Sequence, residues 1–147
     1  MGSNIDKDVN IAAGLRQLEE TFGLLVVSPI YQTAAVGFTG QDFLNLVVRF
    51  ETLLSVYEVL DKLRHIEITQ GRMPDAQKFS ARQLDLDLLL YGEAIIQEAS
   101  LTLPRPDIAK YLFVLQPLAD IAPEEKHPVT QQTFRDMLEQ FIYNAQS

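Results

Sequence analysis

Arg82-Gln83-Leu84-Asp85-Leu86-Asp87-Leu88-Leu89-Leu90 decides how the rest of the chain is read. Side chains along a β-strand alternate between its two faces. Leu84, Leu86, Leu88 and Leu90 therefore share one face, and Asp85 and Asp87 share the other. Two carboxylates this close oppose each other's ionisation unless a cation lies between them. Magnesium that accompanies a nucleotide is commonly held this way, with phosphate oxygens and water completing its shell. Arg82, just upstream, can offer positive charge to the same phosphates. The plainer alternative is a half-buried strand with an acidic outer face, and an Asp-x-Asp alone does not choose between the two.

The segment that leads into this stretch is basic. From Lys62 to Arg82 five basic residues (Lys62, Arg64, Arg72, Lys78, Arg82) stand against Glu67 and Asp75, whereas the whole chain carries a net charge of −8. A local positive patch ahead of a carboxylate pair suits a small polyanion carried with its metal. A solvated helix face plus a charged loop is the alternative. A chain this acidic lacks the broad basic field of a nucleic-acid binder. Residues 72–81 form a polar loop containing Pro74, long enough to act as a lid over the strand that follows.

Upstream, Asp8 or Asp6 can cap a helix over Val9–Glu20, with Ile11, Leu15, Leu18 and Phe22 facing the core and Gly23 ending it. Leu24–Tyr31 reads as a strand, its far end demoted by Pro29. A glycine-punctuated loop leads to a second strand over Phe43–Thr52. Asn45 interrupts that apolar strand and must satisfy both amide donors and its carbonyl. A structural hydrogen bond and an amide that reads a ligand's edge are both open. Ser55 can cap a helix over Val56–Gln70 with Tyr57, Leu60, Leu63 and Ile66 inward, and Arg64 and Glu67 three apart on another face. Downstream, Tyr91-Gly92-Glu93 is a turn, and Ala94–Gln97 and Leu101–Leu103 are short extended pieces. Asp107 caps a short helix leading into Tyr111–Leu115. A loop-rich stretch begins at Gln116-Pro117-Leu118, and Thr130 caps a last helix over Gln131–Tyr143 with Phe134, Leu138 and Phe141 inward.

At 147 residues, 47% hydrophobic and 22% charged, the chain is expected to form one soluble α+β domain. It has no cysteine, which excludes disulfides, zinc–thiolate sites and thiol catalysis. No apolar run reaches the length of a membrane span and no leader is apparent, so a cytoplasmic protein is expected.

Taken in chain order, these residues resemble the 6-hydroxymethyl-7,8-dihydropterin pyrophosphokinase family. Gly2-Ser3-Asn4 resembles the family's lead-in to its first helix. Ser28 to Thr33 resembles its Ser-x-x-Tyr-x-Thr strand, and Phe43-Leu44-Asn45 its aromatic-Leu-Asn. Glu67 with Gln70-Gly71-Arg72 matches Glu-x-x-x-Gly-Arg. Arg82 with Leu84-Asp85-Leu86-Asp87 matches Arg-x-Leu-Asp-Leu-Asp, the most specific of the set. Leu101-Thr102-Leu103-Pro104 and Phe113-Val114-Leu115-Gln116-Pro117-Leu118 continue it.

The resemblance implies a ferredoxin-like αββ-type sandwich, with a mostly antiparallel sheet and helices on its faces. It implies transfer of pyrophosphate from ATP to the hydroxymethyl oxygen of the pterin, with release of AMP, in folate biosynthesis. Asp85 and Asp87 would hold two Mg²⁺ ions, Asp87 assisting deprotonation of the attacking hydroxyl. Arg72 and Arg82 would stabilise charge on the transferring group, Arg72 arriving with its loop. Arg64, Glu67 and Thr102 would serve the nucleotide side. On the pterin side the resemblance implies Asn45 at the ring edge, Phe43 and Phe113 on the ring faces, and backbone near Thr33 and Val36. The partners would be ATP and the pterin, without nucleic acid or membrane, for a monomer or weak homodimer.

The chain also departs from the family. Family members place an apolar strand ahead of Gly-Ser-Asn where only Met1 stands here, so either the start is truncated or the sheet has lost that strand. Pro74 stands in place of a second loop arginine and Phe79 in place of a loop tryptophan. Arg105 stands where histidine is common, as a compensating phosphate contact, with Pro106 in place of an aromatic and Tyr111 in place of an arginine. These departures leave an alternative, a pterin- or nucleotide-binding module without turnover.

Overall fold

The computed structural model describes residues 1–3, 7–33, 43–70 and 84–146. They form two compact units, Met1–Asp87 and Leu88–Ser147.

In the first unit, β1 (Gly2–Ser3) is followed by α1 (Lys7–Phe22), longer at both ends than the apolar spacing predicts. Ile11 and Leu18 form its buried stripe. The expected strand over residues 24–31 divides into β2 (Val26–Val27) and β3 (Tyr31–Thr33). Pro29 has no N–H for a ladder, and the chain bends there around a buried Ser28. Ser28 exchanges backbone contacts with the second strand: its N–H donates to the Val47 carbonyl at 2.9 Å, and its Oγ accepts the Val47 N–H at 2.9 Å. The strand expected over 43–52 likewise divides, into β4 (Phe43–Asn45) and β5 (Val48–Arg49).

The principal sheet is antiparallel with order β1-β4-β3, and β2 pairs with β5 separately. Gly2 pairs with Asn45 and Ser3 with Leu44, while Tyr31 pairs with Asn45 and Thr33 with Phe43. The Met1 amine donates to the Leu46 carbonyl at 3.0 Å and extends this pairing. Gly2–Ser3 thus pairs as a strand, beside the position where the resemblance places a longer one.

Asp85 joins the far side of β1 through a bridge to Gly2. The leucine-rich run around it forms this bridge and no longer strand, because Gly2 is its sole ladder partner among the described residues. Leu84 is buried at 1% exposure, while Leu86, Leu88 and Leu90 are only half-buried. α1 packs on the Leu84 face at Gly14, where a Cβ would come within 2.9 Å of Leu84 Cδ2 and of Met1 Cε. Glycine at that helical position is what allows the approach.

α2 (Val56–Thr69) opens with the expected Ser55 cap, in reciprocal form. Ser55 Oγ accepts the Glu58 N–H, and Glu58 Oε1 accepts the Ser55 N–H. Its buried face comprises Val56, Val59, Leu63, Ile66 and Glu67. Tyr57, expected inward, lies outside that stripe and is exposed.

In the second unit, β6 (Ile96–Glu98) and β7 (Leu101–Leu103) form a tight antiparallel hairpin. α3 (Asp107–Lys110) and α4 (Leu112–Ile121) follow, then α5 (Phe134–Gln146). Three expectations are corrected here. Asp107 is the first residue of α3 and does not cap it, the preceding position being Pro106 with no side-chain cap. The stretch from Gln116 is helical, not loop: α4 continues through Pro117 because burial of Leu115, Leu118 and Ala119 outweighs the one N–H that Pro117 lacks. α5 is capped by Thr133, whose Oγ1 accepts the Asp136 N–H at 3.1 Å, and not by Thr130. Thr130 belongs to the preceding turn, where its N–H reaches His127 Nδ1. Phe134, fully buried, anchors this core with Ile108 and Leu115. Among the described residues no helix is long and apolar enough to cross a membrane.

Candidate active site

Residues paired across an antiparallel sheet present their side chains on the same face. The register therefore places Asp85, Gly2, Asn45 and Tyr31 in one row across the sheet. Thr33 and Phe43, two residues along their strands, flank that row on the same face. Ser3, Leu44 and Leu84 alternate to the other side and are buried. Asp85 and Asn45 are thus two strand spacings apart, roughly 10 Å between backbones, with only a glycine between them.

That glycine is required by close approach. A Cβ on Gly2 would lie 3.1 Å from Asn45 Oδ1. The other end of the Asn45 amide is fixed, since its Nδ2 donates to Thr33 Oγ1 at 2.7 Å. The amide is therefore held flat between Thr33 and Gly2, with its oxygen toward the Asp85 side of the row. Of the two readings left open for Asn45, the structural hydrogen bond is present, and it also orients the amide on the site face.

Asp85 is held through its backbone. Its N–H donates to the Gly2 carbonyl at 2.7 Å, and its own carbonyl accepts the Gly2 N–H at 2.9 Å. Its side chain is half-buried and that of Asp87 is exposed. Glu67, on the inner face of α2, accepts the Leu86 N–H through Oε2 at 2.8 Å. Arg64 lies on the exposed side of the same helix, so the two are not turned the same way. Arg72, Arg82 and Val36 lie outside the described residues. Among those described, no cluster of three metal-ligating side chains occurs. Two carboxylates, one half-buried and one exposed, fit an ion that takes most of its ligands from phosphate and water.

The second unit carries the remaining expected positions. Thr102 is exposed on β7 between the buried Leu101 and Leu103. Arg105 lies with its Nε 3.3 Å from Asp107 Oδ2, so the guanidinium already faces one carboxylate. Phe113, at the start of α4, is 39% exposed and stacks on Tyr111 with ring centroids 5.0 Å apart. Sequence reading missed that stacking partner, and it missed Gly2 as the spacer of the row. It also placed Glu67 with Arg64 on a face apart from the apolar one, although its spacing four residues beyond Leu63 put it on the apolar stripe.

Residues 1–123 match the family model for 7,8-dihydro-6-hydroxymethylpterin-pyrophosphokinase. The chain belongs to the 7,8-dihydro-6-hydroxymethylpterin-pyrophosphokinase family. Curated members bear this out over nearly full length. The 2-amino-4-hydroxy-6-hydroxymethyldihydropteridine pyrophosphokinase of Haemophilus influenzae is 38% identical over 146 residues, covering 96% of this chain and 89% of its own. Its namesake in Aquifex aeolicus is 33% identical, covering 92% of this chain and 86% of its own. That of Pseudomonas aeruginosa is 38% identical, covering 87% and 81%. The pyrophosphokinase family's reaction is pyrophosphoryl transfer from ATP to hydroxymethyldihydropterin, a step of folate biosynthesis, and the α+β architecture found here agrees with its ferredoxin-like fold.

Proposed function

We infer that the row Asp85–Gly2–Asn45 is the working face of this pyrophosphokinase, with the nucleotide phosphates at the Asp85 end and the pterin at the Asn45 end. The observation that supports this most is the register. It sets Asp85, the first carboxylate of the acidic pair, and an oriented amide in one row with only Gly2 between them. The hydroxymethyl oxygen attacks the β-phosphorus of ATP, the bond from that phosphorus to the α,β-bridging oxygen breaks, and AMP leaves. Such transfers need positioning and charge neutralisation more than covalent help.

Asp85 and Asp87 are proposed to hold magnesium, two ions with bound ATP, which neutralises phosphate charge. Asp87, the more exposed carboxylate, takes the hydroxyl proton. Asn45 pairs with the pterin edge, beside Thr33 and backbone near Val36, and Phe43 covers a ring face. Arg72 and Arg82 are assigned to charge on the transferring group, and Arg64 and Glu67 to the nucleotide side. On the second unit, Thr102 and Arg105 are assigned to the nucleotide and Phe113 to the pterin. These last assignments rest on the sequence resemblance. The family match runs through the first unit and into the second, which supports reading the chain as one pyrophosphokinase domain. The same reading makes it a cytoplasmic monomer or weak homodimer acting on ATP and pterin, without nucleic acid or membrane.

The test is AMP formation from ATP, Mg²⁺ and 6-hydroxymethyl-7,8-dihydropterin, with pterin omitted or EDTA added as controls. AMP that needs both pterin and metal is expected. Pterin-dependent binding with no AMP would replace the enzyme by a binding module.

A further inference from the structure

Glutamate is seldom buried without partners. Glu67, at 8% exposure in the last turn of α2, is one of four buried polar or charged residues among those described. Its carboxylate accepts the N–H of Leu86, the residue between Asp85 and Asp87, at 2.8 Å. The backbone just before this point is fixed by the two hydrogen bonds between Asp85 and Gly2. Beyond Asp85 the described residues contain no ladder pairing for Leu86 or Asp87. Among the described residues, the backbone between Asp85 and Asp87 is therefore held by a side chain and not by a ladder. A carboxylate suits that task, because a hydrogen bond to an ionised acceptor is about twice as strong as one between neutral groups.

We propose that Glu67 is a positioning residue for the carboxylate pair: by holding the Leu86 N–H it sets the spacing and aim of Asp85 and Asp87, and through them the affinity for the divalent cation. Glu67 then serves the nucleotide side through the ion that accompanies the phosphates, without touching the nucleotide itself. That role rests on the reading of Asp85 and Asp87 as the metal-binding pair, and the experiment separates the two.

Full-length Glu67→Ala, Glu67→Gln and Asp87→Asn are compared with the parent protein. The first readout is hydrogen exchange at the Leu86 amide in metal-free protein, with the buried Val59 of the same helix as internal reference. The second is the Mg²⁺ concentration for half-maximal AMP formation at saturating ATP and pterin. In Glu67→Ala, Leu86 exchange should accelerate about tenfold while Val59 is unchanged, and half-saturating Mg²⁺ should rise about tenfold. The KM for ATP at saturating Mg²⁺ should stay within about twofold. Glu67→Gln, whose amide oxygen can accept the same N–H, should hold both readouts within about threefold.

Unchanged Leu86 exchange, or a raised ATP KM with unchanged Mg²⁺ dependence, would overturn the proposal. So would an effect confined to melting temperature, which would make Glu67 merely structural. If Glu67→Ala does not fold, Glu67→Gln decides: a loss as deep as that of Asp87→Asn would mean that the carboxylate touches ion or nucleotide directly. Full activity and Mg²⁺ dependence in Asp87→Asn would remove the metal-pair reading itself, whatever Glu67 does.

Discussion

Gly2 lies between Asp85 and Asn45 in the row, and a single methyl group there tests it. In Gly2→Ala the new Cβ meets Asn45 Oδ1 at 3.1 Å, so the amide must shift and its alignment on Thr33 is disturbed. Loss of one aligned hydrogen bond to substrate is worth about 1 kcal/mol, so the pterin KM should rise roughly fivefold with the ATP KM little changed. Steady-state kinetics with each substrate varied checks this. The Asp85–Asp87 pair could be proposed from the sequence because an Asp-x-Asp between leucines carries its own pattern. Gly2's part could not, since it depends on a register that joins three distant segments. His127 makes a further residue-scale prediction. It is buried, its Nδ1 accepts the N–H groups of Val129 and Thr130, and burial holds its pKa below the ordinary histidine value. Protonation would remove that acceptor. The unfolded chain binds the proton first, so stability is full above about pH 6.5 and falls as pH drops below it. Thermal unfolding from pH 8 to 5 should show that loss, and His127→Gln should flatten it.

At the scale of elements, caps and burial set the outcome. The Ser55–Glu58 reciprocal cap was legible, because Ser-x-x-Glu ahead of an apolar run is a local signal, and Ser55 also lowers the Glu58 pKa. Ser55→Ala should cost about 1 kcal/mol by denaturant unfolding. The cap of α5 was misread because Thr130 and Thr133 offer the same hydroxyl; only the turn closed by His127 selects between them. Thr133→Ala should therefore destabilise by about 1 kcal/mol. The leucine run was read correctly at Leu84 and Asp85, which alternate at the bridge to Gly2, but not in its length. Pairing needs a partner strand, and the partner here is Gly2 alone among the described residues. Leu84, buried against α1, still behaves as a core residue, and Leu84→Ala should cost about 2–5 kcal/mol.

For the molecule as a whole, the family and its reaction were legible from ordered short motifs, which survive at 33–38% identity because each is local. Pro29 signalled the weakening of the first strand locally, but the division after Asn45 and the helical course of α4 through Pro117 were not legible, since tertiary burial decided them. A ligand that binds only the folded chain stabilises it by about 2.7 kcal/mol at a hundred times its Kd. ATP with Mg²⁺ should accordingly raise the melting temperature, and EDTA should abolish most of that rise. Asp87→Ala should fold normally, because the side chain is exposed, yet lose both the shift and turnover.

The most direct measurement is the mass of the pterin product formed from ATP, read together with the nucleotide released. The account predicts a pterin carrying two phosphates in one-to-one yield with AMP, absent in Asp87→Ala. A pterin carrying one phosphate with ADP released, or an unmodified pterin from folded protein, would contradict it.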